Sequence, residues 1–280
     1  MTSSPYADGS LAARAKICNP AAAQHLAAAD RHLTFARAKL GARLPPGAKI
    51  LDFGCGIGDT VGVLLAKGYD AFGVDVLEYW GRDFDKYWHV AERPTAEIAN
   101  RLRVVDLKDY RLPFADATFD FCLSDQVFEH VFDYPTTMSE IVRVLKPGAL
   151  SVHHFPGPNY YKEGHIGLPF PPLCYNRVYL TMWAWMAQMR GATSDWRGRV
   201  KGQLELMRFN NYPTKAQLRE MARAAQAEIS FVEVDEFMFR RGSRLKARLL
   251  DALGAVGLDR LAVLAFGVLM LQRYMVLKGH

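Results

Sequence analysis

The chain has 280 residues, of which 50% are hydrophobic and 23% are charged, and its formal net charge is +6. This composition excludes the polar, weakly apolar class of disordered proteins, and the length suits one elaborated α/β domain. The modest positive charge favours anionic partners only weakly.

The cysteines and the apolar segments further limit the class of protein to which the chain can belong. The four cysteines are scattered and form no Cys-x-x-Cys pair, which argues against a zinc site or a disulfide framework and indicates reduced thiols. The N-terminal residues lack the apolar segment of a secretory signal, which predicts a cytoplasmic protein. The longest apolar run, residues 261–271, is shorter than the roughly 20 residues that span a bilayer, so we expect it in the core.

The first predicted element is a helix. Residues 20–43 are rich in alanine, and two prolines and a glycine at 45–47 end the pattern. We therefore assign residues 1–48 to an N-terminal helical extension. From Lys49 onward, short β-rich apolar runs alternate with helical patterns, which is typical of βαβ units. The predicted fold class is α/β, with a Rossmann-like, doubly wound and mostly parallel sheet in a core domain of residues 49–280.

An insertion interrupts this alternation after the predicted fifth strand. Residues 156–211 contain a Pro-, Gly- and aromatic-rich stretch and then a predicted helix at 179–190. The helix and strand pattern resumes near Tyr212, with a last helix expected at about 243–257 and a last strand near 269–277. Long excursions from a sheet are often binding loops, so the insertion is predicted to be a substrate cap.

The first predicted strand ends in Asp52 and leads into glycines at alternate positions, Gly54, Gly56 and Gly58. Bare backbone at the carboxyl end of a strand lets a nucleotide-like ligand approach closely. A dinucleotide fold would carry Gly-x-Gly-x-x-Gly, and Asp59 at the helix start would repel a pyrophosphate. A ligand with a positive centre and an ammonium group tolerates both aspartates. The loop therefore suits S-adenosylmethionine better than NAD.

Further motifs follow the glycine loop in a characteristic order. They are Asp75 at the end of the second strand and the segments 112–120, 129–131 and 140–148. Together with the loop, the chain from about Lys49 to Phe155 resembles the class I S-adenosylmethionine-dependent methyltransferases, in particular the subgroup related to ubiquinone/menaquinone biosynthesis.

This resemblance implies a set of cofactor-binding residues. They are Asp52, Gly54, Cys55, Gly56, Asp75, Val76, Asp106, Leu107 and Ser124. In the family pattern, Asp52 and the loop backbone hold the methionine part, and Asp75 accepts the ribose hydroxyls. Asp106 and the residue after it contact adenine, and Ser124 borders the transferable methyl group. The chain departs from the pattern at Ala149, where the family often has glycine, and after Asp106, where the segment is slightly longer than usual.

Methyl transfer to a hydroxyl needs a base that removes the proton, and four histidines are expected beyond the carboxyl ends of the strands, of which His130, His154 and His165 are the favoured candidates. His130 follows the fourth strand, and His154 ends the fifth. His153 and His154 point to opposite faces of that strand, so at most one reaches the cleft. His165 lies in the insertion, in a Glu-Gly-His-x-Gly-x-Pro element that resembles one in a bacterial branch of the same family. We predict no metal ligand.

These patterns favour a methyltransferase that acts on a small molecule, by O-methylation of a hydroxyl on a metabolite, glycan or lipid-linked precursor. The alternatives are a non-catalytic S-adenosylmethionine-binding scaffold, an RNA methyltransferase and, more remotely, a dehydrogenase. The segment 124–126 lacks the Asn-Pro-Pro-Tyr-like clamp of base-amine methyltransferases, and no RNA-binding module is visible, so no nucleic-acid partner is expected. The basic segment 240–248 is either a solvated helix face or a contact with a membrane surface. The oligomeric state is left open.

Overall fold

The computed structural model describes residues 20–78, 94–106, 108–240, 244–270 and 272–279, and Leu107 lies outside them. The strands are β1 (Lys49–Phe53), β2 (Asp70–Asp75), β3 (Leu102–Val104), β4 (Phe119–Asp125), β5 (Leu145–Phe155), β6 (Glu228–Phe231) and β7 (Arg273–Lys278). The helices are α1 (Pro20–Lys39), α2 (Asp59–Ala66), α3 (Ala96–Ala99), α4 (Tyr134–Val144), α5 (Arg177–Met189), α6 (Trp196–Met207), α7 (Lys215–Ala224), α8 (Glu233–Phe239), α9 (Arg244–Ala255) and α10 (Asp259–Met270). Short 3₁₀ turns occupy Phe128–His130 and Pro171–Tyr175.

The strands form one sheet in the order β3-β2-β1-β4-β5-β7-β6. Strands β1 to β5 are parallel, whereas β7 runs antiparallel to both β5 and β6. The prediction of a mostly parallel, Rossmann-like sheet is therefore confirmed. The carboxyl ends of β1, β2 and β4 meet at one edge, where parallel α/β sheets bind their ligands.

Both faces of the sheet are covered, because successive side chains of a strand point in opposite directions. On β1, Ile50 belongs to the apolar cluster beneath α1 and α2, and Leu51 belongs to the cluster beneath α4 and α7. Helix α1 packs directly on the sheet: Phe35 is fully buried and meets the ring of Tyr274 edge-on at 5.2 Å between centroids. The N-terminal helix is thus part of the cover of the sheet.

The C-terminal helices depart from the predicted core. In α10, Val263 is buried, but Leu261 and Leu264 are 62% and 54% exposed. The prediction that this run is buried is therefore wrong for one side of the helix, because α10 packs on α8 and α9 along its other side. Within the described part of the chain, no helix combines the length and the apolar character needed to cross a membrane.

Candidate functional site

The glycine loop follows β1 at the carboxyl edge of the sheet. The backbone N–H groups of Gly54 and Cys55 both donate to the carbonyl of Val74, at 2.8 and 3.0 Å, which folds the loop toward β2. Gly54 and Gly56 adopt φ angles of +81° and +52°, a region that other residues rarely enter. The alternate glycines are therefore required by the backbone conformation of the loop.

In the described part of the chain, two cavities flank this loop, and Gly54 and Gly56 line both of them. The larger, about 300 Å³, has apolar walls that include Phe53, Val105 and Leu112. The acidic residues Asp75 and Glu140 also line it, and the oxygens of Asp75 accept from the N–H groups of Gly56, at 2.9 Å, and Val76, at 2.7 Å. Apolar walls beside an oriented carboxylate suit a nucleoside, with the rings on the walls and the ribose hydroxyls on Asp75.

The smaller cavity, about 120 Å³, is acidic. Asp52, Asp59 and Asp125 line it together with His32. Burial raises the pKa of Asp52 to about 8, and repulsion from Asp75, Asp125 and Asp59 adds to the shift. A cationic group placed here would relieve that repulsion, so this cavity suits an ammonium group.

One histidine network lies beside the acidic cavity, around Asp125. Its carboxylate accepts from His154 Nδ1 at 2.8 Å and from Arg31 at 2.8 Å, and His32 Nε2 lies 3.3 Å away. Burial alone would raise the pKa of Asp125, but the hydrogen bonds from His154 and His32 outweigh burial and hold it far below its ordinary value. Burial lowers the pKa of His32 to about 4, and its Nδ1 pairs with the Tyr274 hydroxyl at 2.6 Å.

A second histidine network lies on the side of the larger cavity, which His130 lines. His130 Nδ1 lies 2.9 Å from the carbonyl oxygen of Phe209, and its Nε2 lies 3.2 Å from His165 Nε2. His165 Nδ1 lies 2.8 Å from the buried carboxylate of Glu163, which also accepts from the Tyr212 hydroxyl at 2.6 Å. Because a carbonyl and a carboxylate only accept, both Nδ1 atoms carry the hydrogen. In the neutral rings the two Nε2 lone pairs therefore face each other.

The pKa values of the two rings shift in opposite directions. Burial is the main cause that lowers the pKa of His130, which favours its neutral form. The hydrogen bond to Glu163 raises the pKa of His165 against the effect of burial. A proton that reaches this pair is therefore held preferentially on His165.

Comparison with known proteins places the chain in a family. The family described as a methyltransferase domain matches residues 51–152. A demethylmenaquinone methyltransferase of Symbiobacterium thermophilum is 30% identical over 205 residues, which cover 71% of this chain and 74% of that protein. The chain belongs to the class I S-adenosylmethionine-dependent methyltransferases. A demethylmenaquinone methyltransferase of Bacillus licheniformis is 38% identical over 107 residues, 38% of this chain and 43% of that protein.

Solved structures include a phosphoethanolamine N-methyltransferase 2 from Haemonchus contortus in complex with S-adenosyl-L-methionine. It shares 14% sequence identity with this methyltransferase at a TM-score of 0.42, covering 89% of this chain and 51% of that one.

The cofactor of this methyltransferase is S-adenosylmethionine, and the described residues fit it. The crowded acidic cavity offers a place for the ammonium group, and Asp75 offers its carboxylate to the ribose. The loop between the two cavities has no room for a side chain at Gly54, where an added Cβ would overlap the methyl groups of Val127. At Gly54 and Gly56, which line both cavities, the backbone meets a ligand with no side chain between them.

Most of the cofactor residues predicted from the sequence lie at these cavities. Cys55 lines the acidic cavity and Val76 the larger one, with Asp52, Asp75 and the loop glycines. Ser124 is placed elsewhere: its buried hydroxyl pairs with His153 Nδ1 at 2.8 Å. The reason is strand alternation, since Leu123 and Asp125 point to the cavity and Ser124 to the opposite face of β4.

Of the two predicted adenine contacts, only Asp106 is among the described residues, and it is not in the lining of the larger cavity. Asp106 is exposed and accepts from the N–H of Lys108 at 2.9 Å, and Leu107 lies outside the described residues. Instead, Val105 and Tyr110 line the larger cavity near the end of β3. Tyr110 has a φ of +52°, so the turn after β3 bends in a way that the sequence did not reveal.

Replacing Gly54 by alanine is expected to destabilise the unliganded protein by about 2–4 kcal/mol, because positive φ strain adds to the overlap with Val127. Gly41 is the matched control, since its φ is +72° and no atom of the described residues lies within 4 Å of an added Cβ. Gly41→Ala should cost only about 1 kcal/mol. Urea unfolding without cofactor measures both values, and equal losses would show that the overlap at Gly54 is relieved at no cost.

Proposed function

We propose that this methyltransferase methylates a hydroxyl oxygen of a small molecule and that His130 removes the hydroxyl proton. One observation carries the proposal: His130 lines the cavity beside Asp75, and its Nε2 has a lone pair because Nδ1–H is committed to the carbonyl of Phe209. A neutral imidazole at a cavity wall is suited to general-base catalysis, and the Nε2 lone pair that would accept the proton also lies 3.2 Å from His165 Nε2.

The cofactor site follows from the two cavities. Asp52 and the backbone of Gly54 to Gly56 would hold the methionine part, and Asp75, which the N–H groups of Gly56 and Val76 orient, would hold the ribose. When bound, S-adenosylmethionine supplies an electrophilic methyl group. Adenine contacts through Asp106 and Leu107 stay a prediction from the sequence.

The proton that His130 takes from the substrate hydroxyl has a path away from the substrate. His165 Nε2 lies 3.2 Å from His130 Nε2, and Glu163 is 2.8 Å from the far nitrogen of His165. The carboxylate stabilises positive charge on His165, so the proton moves from the cavity wall toward Glu163. His165 and Glu163 therefore act as positioning residues behind His130.

His154 is the weaker candidate for the base. It lines neither of the two cavities, and its Nδ1 pairs with a carboxylate that Arg31 also holds. His130 is therefore the favoured base. His154 would act as the base only for a hydroxyl that reaches the Asp125 side of the cleft.

The acceptor is proposed to enter beneath the cap of residues 156–211. This segment has an apolar cluster of its own, with Cys174, Leu180 and Ala184 fully buried. Its C-terminal end is tied to the turn that carries His130, because the side-chain amide of Asn211 donates to the carbonyl of Val131 at 2.9 Å. An apolar cap joined to the base suits a metabolite, glycan or lipid-linked precursor with one hydroxyl placed at the imidazole.

Contact of residues 240–248 with a membrane surface is the alternative to a solvated helix face. Lys246 is already engaged, since its ammonium group donates to the carbonyl of Phe237 at 2.6 Å. That bond favours a local structural role for this lysine at the end of α8.

The proposal is tested by the release of S-adenosylhomocysteine from the full chain supplied with pools of hydroxylated metabolites, glycans and lipid precursors. We expect turnover with one pool, a product heavier by one methyl group, and loss of turnover when the hydroxyls are acylated beforehand. Turnover only with RNA, or a methyl group on nitrogen, would refute the proposal. Binding of S-adenosylmethionine without turnover in any pool would favour a scaffold.

A further inference from the structure

Glu129 carries a buried carboxyl group that the proposed reaction does not use. The residue is only 1% exposed, and neither Oε1 nor Oε2 has a hydrogen-bond partner in the described part of the chain. A buried carboxyl group without a hydrogen-bond partner destabilises the folded protein by roughly 1–3 kcal/mol, and by more when it is ionised. Such a group therefore marks a place where a partner is expected. The group lies beside the paired imidazoles of His130 and His165.

The two imidazoles are arranged as a pair of ligands. Each Nδ1–H is fixed by an acceptor, Phe209 carbonyl or Glu163 carboxylate, and each Nε2 lone pair faces the other ring at 3.2 Å. Two nitrogens bound to one tetrahedral zinc ion at about 2.0–2.1 Å would lie roughly 3.3 Å apart. An acceptor behind a metal-binding histidine is the usual device that orients its ring.

We propose that Glu129, His130 and His165 bind a divalent transition-metal ion of the zinc class. One ligand atom of each residue lies within 4.8 Å of the other two, and the two Nε2 atoms are 3.2 Å apart, so small side-chain movements bring the three groups to a common ion. Two histidines and one carboxylate are a frequent ligand set for zinc and for ferrous iron. His130 and His165 are exposed, which gives the ion a path from solvent.

A second trio, His32, Asp125 and His154, is equally close but differs in its partners. Arg31 already contacts Asp125 at 2.8 Å, and Nδ1 of His32 pairs with the Tyr274 hydroxyl. A cation would have to displace the guanidinium group, whereas the Glu129 oxygens have no hydrogen-bond partner to lose among the residues that the structure describes. The geometry therefore favours the site at Glu129 over the site at Asp125.

The effect of metal binding on turnover rests on the proposed function, because it depends on whether His130 is the base. The Nε2 lone pair of His130 cannot hold an ion and accept a proton at the same time. If His130 is the base, zinc at this site inhibits the reaction. The site itself is independent of that assignment.

Binding is tested by titrating the metal-stripped full chain with Zn²⁺ in a calorimeter and with Co²⁺ by visible absorption. The wild type should bind one ion of each and show the intense d–d bands of a low-symmetry cobalt site. His165→Asn and Glu129→Gln should each weaken Zn²⁺ binding by at least about 10–100-fold. Glu129→Gln keeps the side-chain volume, and its thermal unfolding is recorded to show that it folds.

His154→Asn is the matched control, because it removes an imidazole from the other trio. Unchanged Zn²⁺ affinity in this variant supports the site at Glu129. Equal loss in His154→Asn, or no loss in Glu129→Gln, would overturn it.

Turnover with and without a chelator separates this proposal from the previous one. If the inhibition constant of Zn²⁺ matches its dissociation constant, both the site and the base assignment are supported. If Zn²⁺ binds and turnover requires it, the metal site stands and His130 as base is refuted.

Discussion

The variant His130→Asn is expected to lower kcat by about 10²–10⁴-fold, the usual contribution of a general base. Asparagine can still donate to the carbonyl of Phe209, which His130 contacts at 2.9 Å, so the turn should keep its shape. The dissociation constant of S-adenosylmethionine should change by less than about threefold, because the imidazole acts on the acceptor and makes no proposed contact with the cofactor. Steady-state kinetics and calorimetric titration of the same preparation give both values.

The two other candidate histidines provide the comparison for this variant. His165→Asn should lower kcat less than His130→Asn, since it removes only the group that stabilises the transferred proton. If His154→Asn loses the activity and His130→Asn retains it, the base lies beside Asp125 and the proposed assignment is wrong.

The affinity for S-adenosylmethionine is expected to rise by about tenfold per pH unit from pH 6 toward pH 8. Burial, reinforced by Asp75, Asp125 and Asp59, raises the pKa of Asp52 to about 8, so the free protein holds a proton there at pH 6. A cationic ligand favours the ionised carboxylate, so binding releases that proton and is favoured as the pH rises. Above about pH 8 the free carboxylate is already ionised, and the ligand's own α-amino group, with a pKa of about 8, begins to lose its charge.

Calorimetric titrations in buffers of different ionisation enthalpy measure the proton released. The wild type should release close to one proton at pH 6.5, whereas Asp52→Asn, which has no proton to release, should bind with an affinity that is nearly independent of pH in this range. A pH-independent wild-type affinity with no proton release would show that Asp52 is ionised before the ligand arrives.

Part of this architecture could be predicted from sequence because the signals are local. The alternation of apolar runs and helical patterns indicated the parallel sheet that β1 to β5 form. The glycine positions followed from their spacing, since Gly54 and Gly56 adopt the positive φ angles that such a loop needs.

Other features depend on contacts between distant parts of the chain. The segment after Phe231 alternates apolar and acidic residues as a strand would, yet Glu233–Phe239 is helical. There Glu233 is buried and paired with Lys215 at 3.0 Å and Arg273 at 3.4 Å, from two other elements. Such partners override local periodicity, and sequence alone does not reveal them.

In the candidate site, too, the residues could be predicted from local sequence, but the contacts between them could not. His130 and His165 were each candidates, but their contact joins residues 35 positions apart through the folding of the cap. The hydrogen-bond acceptors of the two Nδ1–H groups, and the Glu129 carboxyl that has no partner among the described residues, likewise cannot be found without the folded structure. Ser124 was assigned to the cleft from its place in the motif, and the pleat of β4 turns it away.

A crystal structure with S-adenosylhomocysteine is the most direct test of this site. With His130 as the base, the ribose hydroxyls should lie on Asp75, the ammonium group near Asp52, and the cofactor sulfur on the side of the cleft that His130 Nε2 faces, with room for one hydroxyl between them. A sulfur directed at the Asp125 and His154 pair, with the His130 imidazole screened from it, would contradict the assignment.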